Sequence, residues 1–323
     1  MLFVIGFVVP ACGSTTNETI AKSIEPDEHA KVEKVPAGVV IQKIVMTPDR
    51  LQLSGAFDYR QVLITGQLVD GQTIDLTRIA SLVKKPDFVH VTESKLVTIA
   101  GTGDGVITFN AMGQEIVLPV KAVDFEKSKT PDFVVDVQPI LSRLGCNQGT
   151  CHGSKDGKGG FKLSLRGYDA IYDYRGFTDD LSARRINRVA PDQSLMLLKA
   201  SGAIPHVGGQ LTQPGEAYYE IVRNWIADGV PFDQESPRVT AIEVFPKNPI
   251  LPRANLRQQI LVTARYSDGT SRDVTREAFV QSGNIEIIKE EEGGIVHVLR
   301  RGEAPVLVRY EGAYAATTLT VMG

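Results

Sequence analysis

The chain has 323 residues, with 35 Lys and Arg against 38 Asp and Glu, a formal net charge of -3 and 42% hydrophobic residues. This length suffices for two or three domains, each burying its own core. The charge balance, with no basic run longer than Arg184-Arg185, argues against nucleic acid as a partner.

Residues 1–35 read as an export segment followed by a tether. The apolar run Leu2 to Val9 is too short to cross a bilayer but fits the hydrophobic stretch of an export signal. Val9-Pro10-Ala11-Cys12 resembles a bacterial lipobox, in which Cys12 would carry a lipid anchor and supply the only membrane contact. The missing basic start and Pro10 depart from that pattern and leave an atypical or truncated signal open. Thr15 to Val35 is polar, charged and without apolar periodicity, as a tether is. An exported protein of the periplasm or cell envelope is expected.

Residues 36–124 and 237–323 form an internal repeat. Gln61 to Arg78 aligns without a gap on Gln259 to Arg276, and the same register pairs Ile44 with Ile242 and Pro48 with Pro246. Each copy alternates apolar and polar residues, turns at Asp70-Gly71 or Asp268-Gly269, and continues as a second strand. Further strands are predicted at Leu96 to Ala100, Val106 to Asn110 and Ile116 to Val120, and at Ile295 to Leu299, Val306 to Tyr310 and Thr317 to Val321. Short strands with such turns indicate a β-sandwich in each copy. The hairpin Ser267 to Thr275, and more loosely Val69 to Thr77, resembles the bacterial immunoglobulin-like domains of group 2. That resemblance implies spacer or adhesive modules, with cell-surface or carbohydrate contacts. His90 and His297 lie in strand-like stretches and read as structural, and Lys289-Glu290-Glu291-Glu292 reads as a solvated loop.

Between the copies, residues 125–236 change in character. Asp132 to Leu144 places Val137, Ile140, Leu141 and Leu144 at helical spacing, provided that Pro139 lies in the first turn. Pro214 to Asp228 places Tyr218, Ile221, Val222, Trp225 and Ile226 on one face before the stop at Gly229, and Trp225 reads as core. After the first helix comes Cys146-Asn147-Gln148-Gly149-Thr150-Cys151-His152. Two thiols that add to porphyrin vinyl groups, followed by an imidazole that ligates iron, are the attachment chemistry of c-type haem. The usual spacer between the thiols is about two residues, and here it is longer. Spacing alone leaves haem, a disulfide, a zinc half-site and two ordinary thiols open.

An amphipathic helix entering the motif and a tryptophan-bearing helix closing the domain resemble class I cytochromes c. Phe133 to Leu144, Cys146 to Gly153, Gly159 to Asp169, Ser194 to Lys199 and Pro205 to Gly209 resemble, more closely, the cytochrome-c-like region of large planctomycete proteins. Those proteins join immunoglobulin-like domains and a cytochrome c module to two long C-terminal domains of unknown function. Neither long domain occurs in these residues, so no enzyme activity is expected of them. The resemblance implies two all-β sandwiches flanking a mainly α cytochrome c-like domain. It implies one covalent haem c on Cys146 and Cys151, with His152 as proximal ligand. His206 stands where such proteins place a distal methionine; Met196 is the alternative, although its apolar run reads as core. Two imidazoles would favour outer-sphere electron transfer to a redox partner protein. Arg166, Arg175, Arg184, Arg185 and Arg188 would be neighbours for the propionates.

A reading from a different class is a haem-free surface binding or scaffold protein with a Cys146–Cys151 disulfide. A zinc site from Cys146, Cys151, His152 and His206 ranks third. Gly153 to Gly160 lacks the residue order of a phosphate-binding loop, and hydrolase, metalloprotease and EF-hand signatures do not occur.

Overall fold

A computed structural model of the chain describes residues 33–127, 129–180 and 183–323; the export segment and Cys12 lie outside the described residues. The first repeat runs β1 (Ile41–Thr47), β2 (Leu51–Ser54), β3 (Tyr59–Gln61), β4 (Leu63–Leu68), β5 (Thr73–Asp75), β6 (Ser81–Lys84), β7 (Val89–Val91), β8 (Leu96–Ile99), β9 (Gly103–Ala111) and β10 (Gln114–Val123). Three sheets result, in the orders β1-β4-β5, β3-β8-β7 and β2-β10-β9-β6. The period-two pattern sets their faces: along β10, Leu118, Val120 and Ala122 are buried while Val117, Pro119 and Lys121 are exposed. All three sheets contribute to one core, in which Leu53, Ile64, Ile107, Phe109 and Leu118 are fully enclosed.

The second repeat reproduces this strand for strand as β11 (Val239–Phe245), β12 (Ile250–Leu251), β13 (Arg257–Gln259), β14 (Leu261–Tyr266), β15 (Ser271–Asp273), β16 (Phe279–Ser282), β17 (Ile288–Glu291), β18 (Ile295–Val298), β19 (Gly302–Tyr310) and β20 (Ala313–Val321). Its sheets are β11-β14-β15, β13-β18-β17 and β12-β20-β19-β16, and both β2 and β12 pair parallel with the last strand of their repeat. The Asp-Gly turns form as expected, with Gly71 and Gly269 at φ +82° and +83°, where a side chain would be strained. The charged run at Lys289 is not a loop: Lys289, Glu290 and Glu291 lie in β17, and Glu291 pairs with Arg257 and with His297.

The Asp-x-Thr step after each hairpin joins the two repeats. Asp75 Oδ1 accepts the Thr77 amide at 2.7 Å, while its Oδ2 accepts the Gln259 amide of the other repeat at 2.6 Å. Asp273 does the same in reverse, accepting Thr275 N at 2.9 Å and Gln61 N at 2.6 Å. Leu256 packs against both cores, Glu33 bridges Arg78 and Arg257, and Tyr59 Oη donates to Glu277. The sandwiches therefore grip one another directly through a self-complementary contact.

The central unit corrects the fold expected for it. It is not a mainly α cytochrome c-like domain: its helices are α1 (Gln138–Arg143), α2 (Ala170–Thr178), α3 (Leu195–Ala200) and α4 (Ala217–Ala227), of 6, 9, 6 and 11 residues. Turns and extended segments connect them, and strands dominate the chain as a whole. The predicted helix from Asp132 is split for a physical reason. Pro139 has no amide to give, and the preceding turn, Phe133–Val137, widens so that Gln138 N bonds Phe133 O before α1 begins. Trp225 is core, as read: it is fully buried, its ring 5.3 Å from that of Phe133, and its Nε1 donates to Pro231 O at 2.9 Å.

Candidate functional site

The cysteine-histidine segment forms a tight loop after α1. His152 N donates to Cys146 O at 3.0 Å and Gly153 N to Gln148 O at 3.1 Å. A Cβ on Gly153 would lie 2.0 Å from Asn147 O, so the backbone passes too closely there for any side chain. Cys146 and Cys151 are free thiols, not the disulfide of the alternative reading, and burial pushes the Cys146 thiol up to about 12.

The cytochrome and haem reading of the chain is corrected by its strand-dominated fold and by the lack, among the described residues, of a side-chain group placed to hold a metal ion. The His152 ring is covered by Phe161 at 4.7 Å between centroids, and the Arg185 guanidinium lies 4.1 Å over the same Phe161 ring. His152 Nδ1 lies 3.1 Å from Phe161 O, and His206 Nδ1 lies 3.2 Å from Gly209 O. His206 is near enough to act on His152 electrostatically, but burial comes first among the causes that hold the His152 pKa below its ordinary value. Among the described residues, no group of three or more His, Cys, Asp or Glu side chains is placed to hold a metal ion, which also removes the zinc reading. Met196 is half-buried against the central core. Of the expected propionate neighbours, Arg185 is buried and donates to Gly176 O and Gly160 O, and Arg175 pairs with Asp179. Arg166, Arg184 and Arg188 are exposed.

A cleft of about 1350 Å³ opens where the two sandwiches meet the central unit. The first sandwich contributes Pro48, Phe57 and Arg60, the central unit Asp132, Asp136 and Arg223, and the second sandwich Arg272 and Asp273. Asp132 caps the first central turn by accepting Val135 N at 2.8 Å, and its other oxygen accepts the Ser236 hydroxyl. Asp136 accepts Arg272 Nη1 at 2.8 Å, tying the central unit to β15, and Asp136 helps hold Arg272 charged. Desolvation pushes Asp273 up to about 6. Carboxylates, guanidiniums and the Phe57 ring along one wall suit a hydrophilic ligand with apolar edges.

Arg272 and Asp136 were not singled out in the sequence. The signal for Arg272 lies in the repeat alignment, which sets it opposite Ile74, a fully buried residue of the first copy. An arginine on an otherwise apolar strand position is there because something faces it. Asp136 carries no comparable signal, since its partner lies far along the chain.

No protein-family model and no curated protein sequence matches this chain. Among solved structures it is similar to domains 5-6 of the S-layer protein SbsC, at 10% identity and TM-score 0.32, covering 88% of this chain and 98% of that one. Domains 4-9 of the same surface layer protein align at 9% identity and TM-score 0.32, with 88% of this chain covering 31% of that one. Drosophila OTK extracellular domains 3-5 align at 7% identity and TM-score 0.18, covering 87% and 62%. Scores at this level do not establish a shared fold, and the chemistry of the cleft has to be read from its own residues.

Proposed function

We propose that this chain is an exported binding scaffold of the cell envelope, in which two clamped sandwiches hold the central unit and form with it a cleft for a hydrophilic polymer, carbohydrate above all. The observation that supports this reading is the 1350 Å³ cleft shared by all three units, with the Asp136–Arg272 pair fixing its walls. A preformed concave site at domain junctions is where ligands generally bind. The export-signal-like start and the immunoglobulin-like repeats point to the same compartment.

The test is co-sedimentation of the purified full chain with insoluble envelope polysaccharide, alongside cell fractionation with an antibody. The chain is expected in the envelope fraction and in the pellet, and Arg272→Ile, which restores the first repeat's residue and strands Asp136, is expected to reduce pelleting. A chain confined to the cytoplasm, or one that never pellets, contradicts the proposal.

A further inference from the structure

The outer face of the sheet β12-β20-β19-β16 carries a row that the first repeat lacks. Phe279 on β16 lies opposite Arg309 on β19, which lies opposite Tyr314 on β20. The Arg309 guanidinium sits 4.2 Å over the Phe279 ring, and Arg143, from the end of α1, reaches the same ring at 5.8 Å. Tyr314 is 69% exposed. The equivalent row of the first repeat, by the same strand register, is Ser81, Asn110 and Glu115. The two copies share their hairpins, core pattern and reciprocal contact, so the fold itself does not call for Phe, Arg and Tyr on this face.

Three guanidiniums gather here, Arg309 beside the carboxylate of Glu311. None of Arg143, Arg166 and Arg309 forms an ion pair among the described residues, and Arg166 acts on Arg309 as a like charge. Arg166 is exposed and held at φ +58°, a left-handed conformation that non-glycine residues seldom adopt. Glu311, at the base of the cluster, is half-buried and pushed up by desolvation to about 7, so it offsets the positive charge only in part. Like charges brought together cost free energy until an anion joins them.

We infer that the Phe279–Arg309–Tyr314 row binds an acidic polysaccharide, its uronate or sulfate groups taken by the guanidiniums and a sugar face laid on the Tyr314 ring. Strands about 4.8 Å apart put the row at roughly 10 Å long, a span of about two sugar units. An acidic peptide fits less well, because β19 is hydrogen-bonded on both sides and offers a peptide no backbone partner. This deepens the carbohydrate reading but uses a surface away from the cleft.

The experiment is affinity electrophoresis of the full chain in gels containing polygalacturonate, dextran sulfate, neutral dextran or polyglutamate. Retardation by polygalacturonate or dextran sulfate and not by dextran is expected, the two acidic gels separating uronate from sulfate. Arg309→Gln and Tyr314→Ala should each weaken that retardation about ten-fold or more, with melting temperatures close to the parent because both side chains lie on the outer face. Ser81→Ala, in the equivalent row of the first repeat, should leave it unchanged. No retardation by either acidic glycan overturns the inference, as do row variants that bind like the parent. Equal or stronger retardation by polyglutamate replaces the polysaccharide with an acidic protein. Envelope binding that survives the row variants but not Arg272→Ile would leave the scaffold reading standing without this site; polyuronate binding by a chain that never enters the envelope would do the reverse.

Discussion

Replacing Asp173 by asparagine should make the protein's stability less dependent on pH. Asp173, on α2, is 1% exposed and holds the segment after the cysteine loop by accepting both the amide and the hydroxyl of Ser164, the latter at 2.8 Å. Desolvation raises its pKa from 3.8 to about 6, against the opposing pull of the Ser164 bonds. A carboxyl that binds its proton more tightly when folded stabilises the fold fully below about pH 4, and that contribution disappears as pH rises through 6. Two pK units correspond to about 3 kcal/mol between those limits. Asparagine keeps an acceptor for the Ser164 amide and removes the titration. Urea unfolding at intervals from pH 4 to 7.5 should therefore show the parent losing stability relative to Asp173→Asn, by about 3 kcal/mol at the upper end. Parallel curves over that range would refute the reasoning, since they would mean that Asp173 titrates alike in the folded and unfolded chain. Asp173→Ala, which leaves the Ser164 donors unmatched, should cost about 1–3 kcal/mol more than asparagine at neutral pH.

Trp225→Ala should cost about 3–5 kcal/mol in chemical denaturation, because the ring is fully enclosed against Phe133 and Tyr174; a loss below about 1 kcal/mol would place it outside the core. Asp75→Ala and Asp273→Ala each strand a backbone amide of the opposite repeat. Each should cost about 1–3 kcal/mol and enlarge the particle in small-angle scattering, the double variant most of all, whereas unchanged dimensions would argue against the clamp. With its thiol near 12, Cys146 is thiolate in only about one molecule in ten thousand at pH 8, so iodoacetamide should label Cys151 first and Cys146 mainly after unfolding. Equal labelling rates, followed by mass spectrometry of the two peptides, would contradict that order.

The sandwiches were legible because their signals are local. Alternation in β9 and β10, and glycine at Asp70-Gly71 and Asp268-Gly269, act over a few residues, and the ungapped repeat doubles each of them. The central unit was misread because Val137, Ile140, Leu141 and Leu144 keep helical spacing although only Ile140 and Leu141 lie within α1, a helix 6 residues long. Spacing reports which face is buried, not how far the helix extends. Cys146 to His152 suggested a haem because sequence order shows three groups capable of the chemistry. It does not show that Phe161 packs at a tilt against the imidazole, a contact set by the glycine-rich turn that follows. The cleft was invisible for another reason: its walls pair Asp136 with Arg272 and Gln61 with Asp273, residues remote in the chain that no local pattern joins.

The reciprocal bonds between Asp75 and Gln259 and between Asp273 and Gln61 also decide how the molecule would carry a mechanical load. Tension applied at Glu33 and at the end of β20 passes from one sandwich to the other across those bonds, while the central unit, inserted between β10 and β11 and tied sideways to β15 by Asp136 and Arg272, lies off that direct path. Only after the bonds part does the force reach that unit and draw it out. The clamp thus acts as a fuse, and stretching a single molecule should show a first rupture that releases slack equal to the inserted segment.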